Sequence, residues 1–142
     1  MKRTTSKIAV MALAVLIVAC GAGPAGGADL QDTRWVLVTL EGESPLPDRA
    51  PSAEFAEDQV SGSTGCNTYF STYEVDGDEL TIGTVAVTEM WCMEPEGVMD
   101  QEQAFLAALA SVTSYRLAGE RLELLDDTGQ ATLTFESRAA EE

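Results

Sequence analysis

The sequence predicts a β-rich α+β domain: a small antiparallel sheet, curled or barrel-like, of about seven or eight strands with one helix packed on it. Three observations lead there. Short alternating or β-branched segments recur from Thr33 onward, short turn signals separate them, and one stretch alone, about residues 95–110, carries apolar residues at helical spacing. A closed barrel would remove exposed strand edges, with an open sheet backed by the helix as the alternative.

The elements follow in order. Trp35-Val36-Leu37-Val38-Thr39-Leu40 is rich in β-formers, and Glu41-Gly42-Glu43-Ser44-Pro45 closes it with turn chemistry. Ser52-Ala53-Glu54-Phe55-Ala56 alternates small or apolar with polar residues; Asp58-Gln59 offers a turn and Val60-Ser61-Gly62 a short partner strand. Residues 69–75 form a longer strand ended by Asp76-Gly77, a strong hairpin signal. Leu80-Thr81-Ile82 and Val85-Ala86-Val87-Thr88 follow, with Gly83 between them as a bulge or bend. In the helical stretch Pro95 suits a first helical position, and Glu94, Glu96, Asp100 and Glu102 complement the positive end of the helix dipole. Its Phe105 and Leu109 side should be buried. Residues 112–117, 121–125 and 131–135, separated by short turns, predict an antiparallel meander, with Leu122 and Leu124 facing one way and Leu133 and Phe135 at matching positions.

Ahead of this domain lies a different kind of segment. Lys2, Arg3 and Lys7 precede the apolar run of residues 8–19, and Gly21-Ala22-Gly23-Pro24 follows Cys20. A basic start, a short apolar stretch and a small residue before a cut are the parts of an export signal. Some 12 apolar residues are too few to cross a bilayer, which takes roughly 20. Ile17-Val18-Ala19-Cys20 resembles the bacterial lipobox, whose cysteine is lipidated and becomes the mature N-terminus. The expected organisation is a lipoprotein signal over residues 1–19, a Gly-rich tether over 20–29, one domain over 30–136 and a tail over 137–142. Cys20 would then hold the protein by lipid at a membrane of the cell envelope, since several acyl chains anchor stably where one does not.

Residues 1–19 hold three of the eight basic residues and no acidic one, so the rest sets five basic against 24 acidic residues, a formal charge of −19. Such a balance opposes nucleic-acid binding, which needs clustered Lys and Arg. It also opposes docking of the folded domain onto anionic lipid. Solubility explains the charge most simply; a basic protein or peptide partner is the functional alternative. A monomeric domain is the expectation.

With Cys20 assigned to lipid, Cys66 and Cys92 remain and can pair in one way. Pairing is the default in an exported protein, and closing a loop of about 27 residues contributes roughly 3 to 4 kcal/mol in the chain-entropy model. Two buried thiols, or a metal or redox site, are the other readings.

The densest cluster is Gly62-Ser63-Thr64-Gly65-Cys66-Asn67: paired glycines around small polar residues imply an unusual bend, with Asn67 able to bond nearby main chain. Thr88-Glu89-Met90-Trp91-Cys92 comes next, then Gln101-Glu102 on the helix and Leu122-Glu123-Leu124-Leu125-Asp126 near the end, with Trp35 near the start. In this order, across about residues 30–136, these pieces resemble the META domain, the family of the bacterial heat-shock protein HslJ. The resemblance implies a compact β-rich fold, a frequent lipoprotein signal and a link to envelope stress or antibiotic tolerance. It implies no reaction and no catalytic residues. Tyr69 departs from the pattern, many members carrying Arg or a similar polar residue near that position.

The residue inventory agrees with a non-enzyme. The chain has no histidine, which removes Ser-His-Asp and Cys-His nucleophile systems and His-ligated metal sites. Among 24 carboxylates a close pair is expected by chance, so pairs of them do not argue for acid–base catalysis. Asp76-Gly77-Asp78-Glu79 lacks calcium-loop spacing and reads as an acidic hairpin turn. Met90, Cys92 and Met93 are soft ligands suited to Cu(I), but alternation along a strand would put Met90 and Cys92 inward as core against a disulfide. No cofactor or metal is expected. Trp91 would then point outward, to pack under the helix or to anchor a partner, and packing is the favoured reading. The expected function is a non-catalytic envelope lipoprotein that binds an unidentified envelope protein or small ligand through residues such as Gly62, Gly65, Asn67 and Trp91. The alternative is a lipoprotein inhibitor of a cationic enzyme such as lysozyme.

Overall fold

The computed structural model describes residues 30–139; the expected signal and tether, with Cys20, and residues 140–142 lie outside the described residues. Among the described residues nine strands and one helix follow in chain order: β1 (Thr33–Leu40), β2 (Ser52–Ala56), β3 (Gln59–Ser63), β4 (Thr68–Asp76), β5 (Glu79–Ile82), β6 (Ala86–Val87), α1 (Val98–Ala110), β7 (Ser114–Ala118), β8 (Arg121–Leu125) and β9 (Ala131–Ser137). Neighbours run β3-β2-β1-β9-β8-β7-β5-β4, and β3 pairs again with β4, so eight antiparallel strands close into a barrel. Closure is the answer to the edge problem, and the open-sheet alternative is excluded.

The extra strand β6 lies on the same edge of β4 as β5. Tyr73 faces Ile82 while Tyr69 faces Val87, a slip of one residue absorbed around Gly83. A Cβ on Gly83 would sit 2.4 Å from Thr72 Oγ1, so the bend is tightly packed. The β7–β8–β9 meander forms as expected, with strand β7 starting at Ser114 rather than residue 112.

Period-two alternation fills the barrel. Trp35, Leu37, Phe55, Val60, Tyr69, Leu80, Leu122, Leu124, Leu133 and Phe135 share one core cluster, which Phe105, Ala108 and Leu109 of α1 join. Phe105 meets Tyr69 edge-on at 5.3 Å between ring centroids, fastening helix to barrel. The helix begins three residues later than the sequence suggests. Pro95 follows a cis peptide bond and Gly97 takes a left-handed conformation, so the turn before α1, not its first residue, uses the proline.

The two barrel ends differ. Thr33 and Trp35, where the chain enters, share a cleft with Gly119, Ser137 and Arg138. Leu40 and Glu41, at the other end of β1, share one with Gly97, Gln101 and Ala104 of the helix start. The β3–β4 turn also lies at the Leu40 end, because β3 runs parallel to β1.

Burial of Tyr69 has a measurable consequence. Its hydroxyl donates to Ser52 O at 2.8 Å, and desolvation pushes its pKa well above the usual phenol value. A folded pKa raised above the unfolded one means that above pH ~10 the unfolded chain releases a proton the folded chain keeps. Stability is therefore intact below pH ~10 and falls by up to about 1.4 kcal/mol per pH unit above it. Tyr73, also shifted upward by desolvation and by Asp32 and Asp58, adds in the same direction. Urea unfolding between pH 8 and 11 should show this slope, flattened in Tyr69→Phe; equal slopes for both proteins would refute it.

Candidate functional site

At the Leu40 end of the barrel three segments converge: the β3–β4 turn (residues 64–67), the loop between β6 and α1 (residues 88–97), and the first turns of α1. Asn67 is their common partner. Its amide donates to Glu102 Oε2 at 2.9 Å and to Met90 O at 2.9 Å. Its Oδ1 accepts from Met90 N–H at 2.7 Å and from Thr88 Oγ1 at 2.8 Å. Two donors and two lone pairs are all used, and Met90 N–H, a donor only, fixes which way round the amide sits. The sequence points to a bond from Asn67 to nearby main chain; the bond made is to main chain 23 residues away.

Glu102 is buried beneath this amide. It also accepts from Thr64 Oγ1 and from Asn67 N–H at 3.3 Å. The donors facing it are neutral: a hydroxyl, a main-chain N–H and an amide. Enclosed carboxylates require such partners, because an unpartnered one costs several kcal/mol. Glu102 thus does not decorate the helix dipole, as its sequence position suggests, but ties α1 to the turn. One signal could have marked it. Val98, Glu102, Phe105 and Leu109 lie at i, i+4, i+7 and i+11, a carboxylate within the apolar stripe.

The glycines serve close approach. A Cβ on Gly62 would lie 2.1 Å from Ser52 O, and one on Gly65 2.6 Å from Arg49 O and 2.7 Å from Gln101 Nε2. Gly65 also has φ of +102°, which side chains disfavour. Gln101 donates to Arg49 O at 2.8 Å and accepts from Leu46 N–H at 2.7 Å, stitching the β1–β2 loop to the helix. Gly62, Gly65 and Asn67 are therefore occupied in holding segments together.

Cys66 and Cys92 form a disulfide, with Cα atoms 5.9 Å apart, so the buried-thiol and metal readings of this pair do not hold. Cys92 N–H also donates to Met99 Sδ at 3.5 Å. Residues 88–94 are not a strand, and strand alternation therefore misplaces their side chains. Met90 is 60% exposed instead of inward, because both its main-chain groups bind Asn67 and its side chain turns out. Trp91 does not pack under the helix: it is 75% exposed, beside Met93 at 83%. Trp91, Met93, Met99, Glu96, Asp100 and Gln103 line an open groove of about 320 Å³ at the helix start. Among the described residues no three Cys, Asp or Glu side chains converge as a metal site would require. The acidic Asp76–Glu79 stretch is a two-residue hairpin between β4 and β5.

The META domain family profile matches residues 28–139. The chain belongs to the META domain family. Membership gives, in coarse outline, a non-catalytic binding module of the envelope type, in a family that is generally non-enzymatic. Among solved structures, this META domain is similar to a protein from Burkholderia xenovorans determined by NMR, with 27% identity, a TM-score of 0.64, and 98% of this chain and 99% of that one covered. A second NMR structure shares 27% identity with a TM-score of 0.62, covering 77% and 92%. A duf4847 family protein from Bacteroides vulgatus shares the fold at 16% identity and a TM-score of 0.60, covering 81% and 99%. No curated protein matches the chain.

Proposed function

We propose that this META domain is a non-catalytic binding module of the cell envelope, held there by lipid on Cys20 and active in envelope stress or antibiotic tolerance. One observation carries the binding reading. Met90, Trp91 and Met93 are exposed on a single loop whose backbone is pinned by the disulfide and by Asn67. Apolar side chains of this size, displayed on a rigid loop, lose little conformational entropy on binding, and Trp is prominent among interface anchors. The motif glycines and Asn67 support this display from behind and do not themselves contact the partner.

The test is crosslinking in intact cells with a photoreactive amino acid at position 93. A discrete adduct is expected there, absent when Trp91 is changed to Ser and absent from a probe at position 57, in the β2–β3 turn at the opposite barrel end. No adduct at position 93, or the same adducts from both positions, would end the proposal. The −19 formal charge favours, as a second reading, inhibition of a cationic enzyme such as lysozyme. That reading requires inhibition at micromolar concentration.

A further inference from the structure

We infer that the groove beside Trp91 receives a cationic amphipathic peptide segment, with Trp91 and Met93 covering its apolar side chains and the carboxylates of Glu96 and Asp100 facing its Arg or Lys. The inference rests on the binding-module reading and names the partner's chemistry. Its first ground is the composition of one surface. Of the four large hydrophobic residues exposed among the described residues, three lie within residues 90–93. The second is the charge around them. Glu96 and Asp100 line the groove itself, and exposed Glu89 and Glu94 flank the Met90–Met93 run.

No Lys or Arg occurs anywhere between Arg49 and Arg116. Arg49, which does reach this region, donates to the carbonyls of Gly65 at 3.3 Å and Glu94 at 3.5 Å, so it is held by main chain. The start of α1 contributes an opposing field of about half a positive charge. Glu96 and Asp100 outweigh it with two full negative charges. An indole face beside carboxylates suits a guanidinium or ammonium, which gains from both. The same charges repel an anionic bilayer, so a lipid surface fits less well.

Fluorescence gives a direct readout, because Trp91 is exposed and Trp35, the other tryptophan, is 3% exposed. The detergent-solubilised full chain is titrated with a dye-labelled 12-residue peptide of repeating Leu-Arg-Arg-Leu and with its Leu-Glu-Glu-Leu counterpart. Saturable binding of the cationic peptide alone is expected, with a blue shift of tryptophan emission. Trp91→Ser, and separately Glu96→Gln with Asp100→Asn, should each weaken peptide binding about tenfold at ~0.15 M salt, while melting temperatures stay within about 3 °C of the parent. Changing Glu74, Asp76 and Glu79 at the β4–β5 hairpin to Gln, Asn and Gln should leave it intact. Equal losses from the two carboxylate sets would mean diffuse charge attraction and overturn the inference. So would binding of the acidic peptide. So would no peptide binding together with a blue shift on phosphatidylcholine vesicles, which would give the groove to lipid. A cationic peptide that fails to bind while the position-93 crosslink persists removes this partner class and leaves the binding module standing.

Discussion

Asn67→Ala is expected to destabilise the domain by about 3 to 5 kcal/mol, lowering the melting temperature by roughly 15 °C. The substitution empties four hydrogen bonds at once and strips the buried Glu102 carboxylate of one of its three donors. Asn67→Asp should be no better, since it sets a second carboxylate against the first. The disulfide provides the comparison. Cys66→Ser with Cys92→Ser should cost about 3 to 4 kcal/mol, chiefly by releasing loop-closure entropy in the unfolded chain. The two losses differ in kind: without the disulfide, Asn67 still holds Met90 in place, whereas without Asn67 the main chain of Met90 loses both its partners and the loop keeps only the disulfide and the weaker bonds at Cys92 and Glu94. Trp91 emission and its quenching by acrylamide would separate them, changing in the Asn67 variant more than in the cysteine variant. If Asn67→Ala melts within about 4 °C of the parent, the network does not clamp the loop.

Gly62→Ala carries the second large effect, for a steric reason. The added methyl would stand 2.1 Å from the carbonyl oxygen of Ser52 and 2.7 Å from its carbon, both backbone atoms that cannot rotate away. Strand β2 must therefore move from β3, and Ser52 is also where Tyr69 Oη and Ser63 N–H bond. Overpacking of a tight contact costs typically 1–3 kcal/mol, and with those bonds loosened about 3 kcal/mol or more is expected. Chemical denaturation would measure it. A cost under about 1 kcal/mol would show that the two strands can separate freely, contrary to the geometry.

The strands could be read from sequence because the barrel interior imposes alternation: Leu122, Leu124, Leu133 and Phe135 each take the inward position that period two assigns them. The hairpin at Gly77 and the slip at Gly83 were marked by glycines with a local job. Residues 88–94 resisted the same logic. Their conformation is set by Asn67, more than 20 positions away, and no local pattern announces that Met90 will spend both main-chain groups on a side chain. Alternation applied there turned Met90 inward and left Trp91 to the helix. Both errors have one cause, a loop read as a strand. Barrel closure likewise depends on the single β3–β4 pairing, which periodicity within either strand cannot reveal.

The two unlike ends of the barrel give the molecule a direction. Its first and last described strands, β1 and β9, lie side by side with Trp35 opposite Ser137, so the chain enters and leaves at one pole. The groove beside Trp91 opens near the helix start, at the other pole. Eight residues of tilted strand separate the poles by roughly 20 Å. Anything gripping the chain ahead of Thr33 holds the domain like a stalk, and the groove beside Trp91 lies at the end far from the grip.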